Sequence, residues 1–326
     1  MDARRTGTGA APVPDGAGTA RQDDSAATSP GERPPIPADP SGGVGRRCAD
    51  HPDDQDCWAK HAHVAYVDQQ LAGYTTDGYP VDIDLAAALL ALDPTQRQAV
   101  LDRKKFGSAT TRRAAESGIT QFLDLGCGYP LPYRPRRRSR SRPSNIHETF
   151  EEVNGRTGAR IVHVDSDPMV IAYARAVLDS WPHQVGCLQA DISDIDLVLG
   201  SPAVTGNITA DRPVAARLHA ALEWIGDDES VAAVIDRLWQ WLPSGSSLSL
   251  THAITDHAPE RTAALVQAYQ TAGLPWYPRS LADLTGLTAG LPPGDAATDQ
   301  QWAAGPVGEA ARRTTSSVFA TTAVKP

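Results

Sequence analysis

Gln121-Phe122-Leu123-Asp124-Leu125-Gly126-Cys127-Gly128-Tyr129-Pro130 is a short apolar run that closes on an acid and a pair of spaced glycines. The apolar residues suit a buried strand of a parallel sheet. The glycines let the chain turn tightly and bring backbone close to a ligand. In an open α/β sheet, the carboxyl end of such a strand is where nucleotides and their relatives bind.

Working outward, the downstream sequence alternates strand and helix patterns. Strands are expected at 121–125, 160–165, 185–188, 213–222, 247–251, 286–291 and 316–324. Arg160 to Asp165 ends in an acid, and Pro168 then suits the first turn of a helix whose Val170, Ile171, Ala174, Val177 and Leu178 share one face. A second helix is marked by Val231, Val234, Ile235, Leu238 and Trp241, and a third spans 259–272. This alternation predicts an α/β fold, a mostly parallel sheet with helices on both faces.

Upstream, residues 1–45 carry few large apolar side chains and no aromatic one, too little to offset the entropy of ordering the backbone. A disordered tail is expected there, with a loop and helical cap over 46–117 and the ligand-binding domain over 118–326. Leu85, Leu89, Leu90 and Leu92 mark one cap helix, and Thr95 to Phe106 another. Cys48, His51, Cys57, His61 and His63 fall within 16 residues. Their spacing matches no common zinc arrangement, and the acids among them suit a solvated loop, so no metal site is expected. An insertion at 133–143 contains Arg134, Arg136, Arg137, Arg138, Arg140 and Arg142. Interleaved proline and serine keep it from forming a helix, and like-charge blocks of this kind are solvated arms.

The whole chain of 326 residues carries a net charge of -9. That acidic balance argues against a nucleic-acid partner. No apolar run reaches the roughly 20 residues of a membrane span, and the N-terminus lacks the apolar core of a secretory signal. A cytoplasmic protein is expected, and the oligomeric state is not legible.

The acids at the strand ends carry the chemistry. Asp124, Asp165 and Asp191 close or follow three successive strands, so one rim of the sheet gathers them. Asp165 is placed to accept hydrogen bonds from both hydroxyls of a ribose, and Asp191 to meet an adenine amino group. A dinucleotide site would need a third glycine to seat a pyrophosphate, and here Tyr129-Pro130-Leu131 follows instead. A ligand with a cation and an amino-acid end suits the acids better, and S-adenosyl-L-methionine is such a ligand.

On these motifs the chain resembles the class I S-adenosylmethionine-dependent methyltransferases. More narrowly it resembles the actinobacterial S-adenosyl methyltransferase family, long catalogued as a domain of unknown function. The residues that carry the likeness are Gln121 to Gly126, Asn145 with His147 and Glu148, Val164-Asp165 with Asp167-Pro168, Ala190-Asp191, and Ser249 to His252. It covers about residues 60 to 325. The resemblance implies a Rossmann-like class I methyltransferase fold with a seven-stranded sheet, with S-adenosyl-L-methionine as cofactor. The cofactor would lie against Asp124, Gly126, Cys127, Gly128, Asp165, Ser166, Asp191 and Ile192. The chain departs from the family where Tyr74 follows Ala72-Gly73 in place of a Gly-Gly-Lys sequence, and where Glu223 replaces the usual histidine after strand four.

His147 and Glu148 are the candidate catalytic residues, because they follow the glycine turn closely in sequence. The expected activity is methyl transfer to a small-molecule or peptide acceptor. A catalytically silent protein that binds S-adenosylmethionine or S-adenosylhomocysteine for regulation is the alternative. Nucleic-acid methylation through the arginine arm is disfavoured by the acidic chain.

Overall fold

The computed structural model describes residues 57–74, 78–131, 143–155, 158–178, 184–292 and 317–326. The tail at 1–45, Cys48, His51 and the arginine run lie outside the described residues.

The cap comes first: α1 (Cys57–Lys60), α2 (Val64–Ala72), α3 (Pro80–Leu92) and α4 (Gln96–Glu116). Pro80 opens α3 at the first turn, where its missing N–H costs nothing. The sequence suggests a break after Phe106, yet α4 runs unbroken for 21 residues. Gly107 sits inside it because a Cβ there would lie 2.7 Å from Arg217 Nη2 and 2.9 Å from His219 Nδ1. The small residue is what lets the helix rest on the sheet.

The sheet follows with β1 (Gln121–Leu125), β2 (Arg160–Asp165), β3 (Gln184–Gln189), β4 (Val214–His219), β5 (Ser247–Ala253) and β6 (Val318–Val324). Between them run α5 (Ile146–Asn154), α6 (Pro168–Leu178), α7 (Ile195–Gly200), α8 (Pro202–Thr205), a 3-10 turn (Leu222–Trp224), α9 (Asp228–Trp241), α10 (Pro259–Thr271) and α11 (Leu281–Leu287). The order is β3-β2-β1-β4-β5-β6, with β1 to β5 parallel and β6 antiparallel to β5.

The described sheet therefore has six strands, not the expected seven. The missing one is the strand expected at 286–291, where α11 ends and a turn follows. Ser280 and Asp283 form a reciprocal capping box, which satisfies orphan N–H groups and starts a helix in its place.

Strand alternation sends side chains to two different covers. Leu123 and Leu125 of β1, with Val162, Val164, Leu218 and Leu250, pack against Val231, Val234, Ile235 and Leu238 of α9. Phe122, Ile161 and Ala215 face the other way, onto Ala114 and Ala115 of α4 and Ile146 and Phe150 of α5. Asp124 shares the Phe122 face, and this decides its surroundings.

Candidate cofactor site

At the carboxyl end of β1 the chain turns through Gly126 and Gly128, at φ of 69° and 60°. Both values lie in the left-handed region that glycine enters without a Cβ penalty. The N–H groups of Gly126 and Cys127 both donate to Val164 O of β2, at 2.8 and 3.0 Å. A Cβ on Gly126 would meet the Ala221 Cβ at 2.6 Å, so the turn is pressed against the segment that follows β4. Among the described residues a Cβ on Gly128 would meet nothing within 4 Å, which leaves an open cradle above the turn.

Asp165 completes the turn from the neighbouring strand. Its Oδ2 accepts the Gly128 N–H at 2.9 Å, and its Oδ1 accepts the Asp167 N–H at 3.0 Å. Burial pushes the Asp165 carboxyl up to about 6 against those two bonds, and the nearby Asp167 and Asp124 add to the push. Each oxygen keeps a second lone pair for a ligand. Asp191 lies exposed past β3, its Oδ1 taken by the Ser193 N–H and hydroxyl at 3.0 and 2.8 Å. Ser166 is exposed, while Ile192 belongs to the core beneath α7 and α9.

Asp124 is enclosed by its neighbours in the sheet. It sits one residue inside β1 and is 8% exposed. His163 Nδ1 lies 3.3 Å from its Oδ2 and Arg217 Nε 3.5 Å from its Oδ1, from the register partners on β2 and β4. Burial alone would raise its carboxyl, but Arg217 and His163 hold it well below the usual carboxylate range. The row continues, with Arg217 Nη2 donating to His219 Nδ1 at 3.2 Å. The proton of His219 is then on Nε2, which donates to Ser249 Oγ at 2.9 Å. Burial and the adjacent Arg217 keep this imidazole neutral, well below its ordinary range. This polar row lies under α4 as an internal support for the turn.

The sequence candidates for acid–base work are engaged elsewhere. Glu148 Oε2 accepts the Asn145 N–H at 2.9 Å in the capping box that begins α5. His147 is 2% exposed in the same first turn. Cys127 packs with Tyr129 and Val170, and burial raises its thiol well above the ordinary value, with Asp165 adding to the effect. Past β5, His252 donates from Nδ1 to Ala253 O at 2.8 Å, which leaves Nε2 to accept Arg279 Nη1 at 3.0 Å. Glu223 accepts the Ala253 N–H at 2.9 Å and the Trp276 indole N–H at 3.2 Å. A histidine at that position could not take both bonds as a carboxylate does.

The cap lies on the turn, and reading the sequence missed this. His63 Nδ1 is 2.9 Å from Asp167 Oδ2, and Gln69 of α2 donates to Tyr129 O at 3.1 Å. The Tyr66 and Tyr129 rings stand 4.3 Å apart. His63 was grouped with cysteines and histidines as a loop, and its N–H in fact anchors on the buried Asp82 at 2.7 Å. Among the described residues no cluster of three or more such ligands is gathered for a metal ion.

A family model described as S-adenosyl methyltransferase matches residues 50–326. The chain belongs to the S-adenosyl methyltransferase family. No curated protein matches the sequence. Among solved structures, a DUF574 family protein from Streptomyces avermitilis is 26% identical with a TM-score of 0.67, over 82% of this chain and 99% of that one. A Thermobifida fusca protein assigned as a methyltransferase gives the same identity and TM-score, over 82% of this chain and 96% of that one. The cofactor of this S-adenosyl methyltransferase family is S-adenosyl-L-methionine. The residues present suit it: an open glycine cradle, a two-oxygen acceptor beside it, and no third glycine for a pyrophosphate.

Proposed function

We propose that this chain is an S-adenosylmethionine-dependent methyltransferase acting on a small-molecule or peptide acceptor. The observation that carries the reading is the coupling of Asp165 to the Gly128 amide, which sets a carboxylate at the rim of an open cradle. Asp165 would take the ribose hydroxyls with its two remaining lone pairs, and Asp191 and Ile192 would border the adenine. Gly126, Cys127 and Gly128 would bring backbone against the amino-acid end, with Ser166 at the rim and Asp124 supporting from below. When bound, the cofactor supplies an electrophilic methyl group on a sulfonium.

The protein's share of such a transfer is positioning and exclusion of water. Tyr66, Tyr129 and the His63–Asp167 contact close the cap over the turn. His147 and Glu148 hold the start of α5, and no proton transfer is required of them when the acceptor arrives as a nucleophile.

Calorimetry with S-adenosylhomocysteine tests the cofactor site. Micromolar binding is expected for the wild type, a rough figure for such sites, with a loss of about tenfold or more in Asp165→Ala. Equal binding by the two proteins would overturn the assignment. Transfer of labelled methyl groups to small molecules or peptides in an extract separates an enzyme from a silent binding protein.

A further inference from the structure

Among the described residues, Ala220 is the single one other than glycine with a positive φ, at 55°. An L residue enters this left-handed region at a cost, because its Cβ crowds the carbonyl oxygen that follows. Such a conformation persists only where its surroundings hold it, and residues of this kind cluster at ligand-binding and catalytic sites. The position in the sheet agrees. The order β3-β2-β1-β4-β5-β6 carries the chain outward from β1 through β2 and β3, and outward again from β4 through β5. The topological switch point is therefore the crevice between the carboxyl ends of β1 and β4, where open α/β sheets take their ligands. The glycine turn forms one wall of that crevice. Ala220 and Ala221, directly after His219 at the end of β4, form the other. The walls come into contact, since a Cβ on Gly126 would lie 2.6 Å from the Ala221 Cβ.

What holds Ala220 comes from β5. Its N–H donates to Thr251 O at 3.1 Å and to Thr251 Oγ1 at 3.0 Å, and Thr251 is fully buried. The Ala220 carbonyl in turn accepts the Trp224 indole N–H at 3.0 Å. Two residues earlier on β5, Ser249 Oγ takes the His219 Nε2 proton at 2.9 Å. The two hydroxyls of β5 thus brace the last residue of β4 and the first one beyond it.

We infer that Thr251 is a positioning residue for the cofactor. Its hydroxyl fixes Ala220 in the left-handed conformation, and that keeps Ala221 against Gly126. The contact sets the width of the crevice beside Gly126 and Cys127, where the amino-acid end of the cofactor would lie. The inference rests on the methyltransferase reading above and adds to it a β5 residue that acts through Ala220. A methyl group in place of Thr251 Oγ1 would press on the Ala220 N–H at a distance that only an acceptor tolerates.

The test is calorimetry on the full chain with two probes: S-adenosylhomocysteine, and adenosine, which keeps the nucleoside and lacks the amino-acid end. Thr251→Val should weaken S-adenosylhomocysteine about fivefold or more and leave adenosine within about twofold of wild type. Thr251→Ser restores the hydroxyl. Its S-adenosylhomocysteine affinity should return to within about twofold of wild type, even though the lost methyl lowers thermal stability. Ala220→Gly removes the strain, so its thermal midpoint should stand at or above the wild-type value while S-adenosylhomocysteine binds about threefold weaker or more. A purely structural role would not move stability and affinity in opposite directions, and Ala220→Gly reads that split even where Thr251→Val fails to fold. Three results overturn the inference: wild-type affinity in Thr251→Val or Ala220→Gly, a loss in Thr251→Ser equal to that in Thr251→Val, or an equal loss of both probes in Thr251→Val. If the wild type fails to bind S-adenosylhomocysteine, the methyltransferase reading falls and this one with it. If it binds and the variants match it, only the positioning role falls.

Discussion

Asp165 of β2 accepts the amide of Gly128 at 2.9 Å, so the acid that ends one strand holds the glycine turn that ends its neighbour. The turn and the carboxylate proposed to bind the ribose are therefore one mechanical unit.

A pH dependence of cofactor binding follows from this contact. With its pKa pushed up to about 6 by burial, Asp165 carries a proton in mildly acid solution. A ribose needs the ionised form as acceptor of two hydroxyls. Affinity for S-adenosylhomocysteine should be flat near neutral pH and fall towards tenfold per unit below about pH 6. Folding moves the other way. The native state keeps a proton that the unfolded chain releases near its ordinary value, so this group's contribution to stability falls as pH rises from about 4 through about 6. Calorimetry from about pH 5 to about pH 8 checks the binding slope, which Asp165→Asn should abolish.

The two glycines of the turn should respond differently to alanine. Gly126→Ala combines a φ of 69° with a Cβ 2.6 Å from the Ala221 Cβ. It should cost about 3 kcal/mol of unfolding free energy, from backbone strain and overpacking together. Gly128→Ala carries only the strain of its φ of 60° and should cost about 1 kcal/mol. Urea denaturation of both variants decides, and equal losses would mean that contact with Ala221 relaxes freely.

Asp124→Asn removes the negative partner of a buried guanidinium. Arg217 and Asp124 are 15% and 11% exposed at their side chains. The loss should be about 3 kcal/mol at neutral pH, the usual effect of stranding one charge of a buried pair. Because its folded pKa is depressed, Asp124 contributes stability that is present above its ordinary value and lost as pH falls towards the folded one. A variant within about half a kcal/mol of wild type would show that the pair is screened.

Glu223→Ala leaves the Ala253 N–H and the Trp276 indole N–H short of an acceptor in the interior and removes a carboxylate 4.0 Å from Arg103. Unfolding should become easier by about 3 kcal/mol. Glu223→Gln keeps an acceptor oxygen, so it should lose less than half as much. Thermal unfolding of the pair, with the order reversed, would show that the carboxylate holds nothing essential.

Much of the scaffold was legible locally. The spaced glycines after a buried run marked β1 and its turn, and Pro168 after an acid-ended strand marked the start of α6, because both signals act within a few residues. The strand expected at 286–291 failed for the same kind of reason. Its apolar residues carry little periodicity, and the cap at Ser280 and Asp283, also local, decided for helix.

By itself, the sequence determined the alternating α/β elements, the glycine turn and the row of acids after successive strands. Those properties depend on backbone freedom and on side chains two or four residues apart. Only the tertiary structure decided that Asp124 faces His163 and Arg217, because strand register sets those partners across the sheet. It also decided that His63 and Gln69 close over the turn, and that Glu223 is held between Ala253 and Trp276. Each of those contacts joins residues at least 30 positions apart. Packing of helices on a sheet creates them, and no local pattern along the chain contains that information.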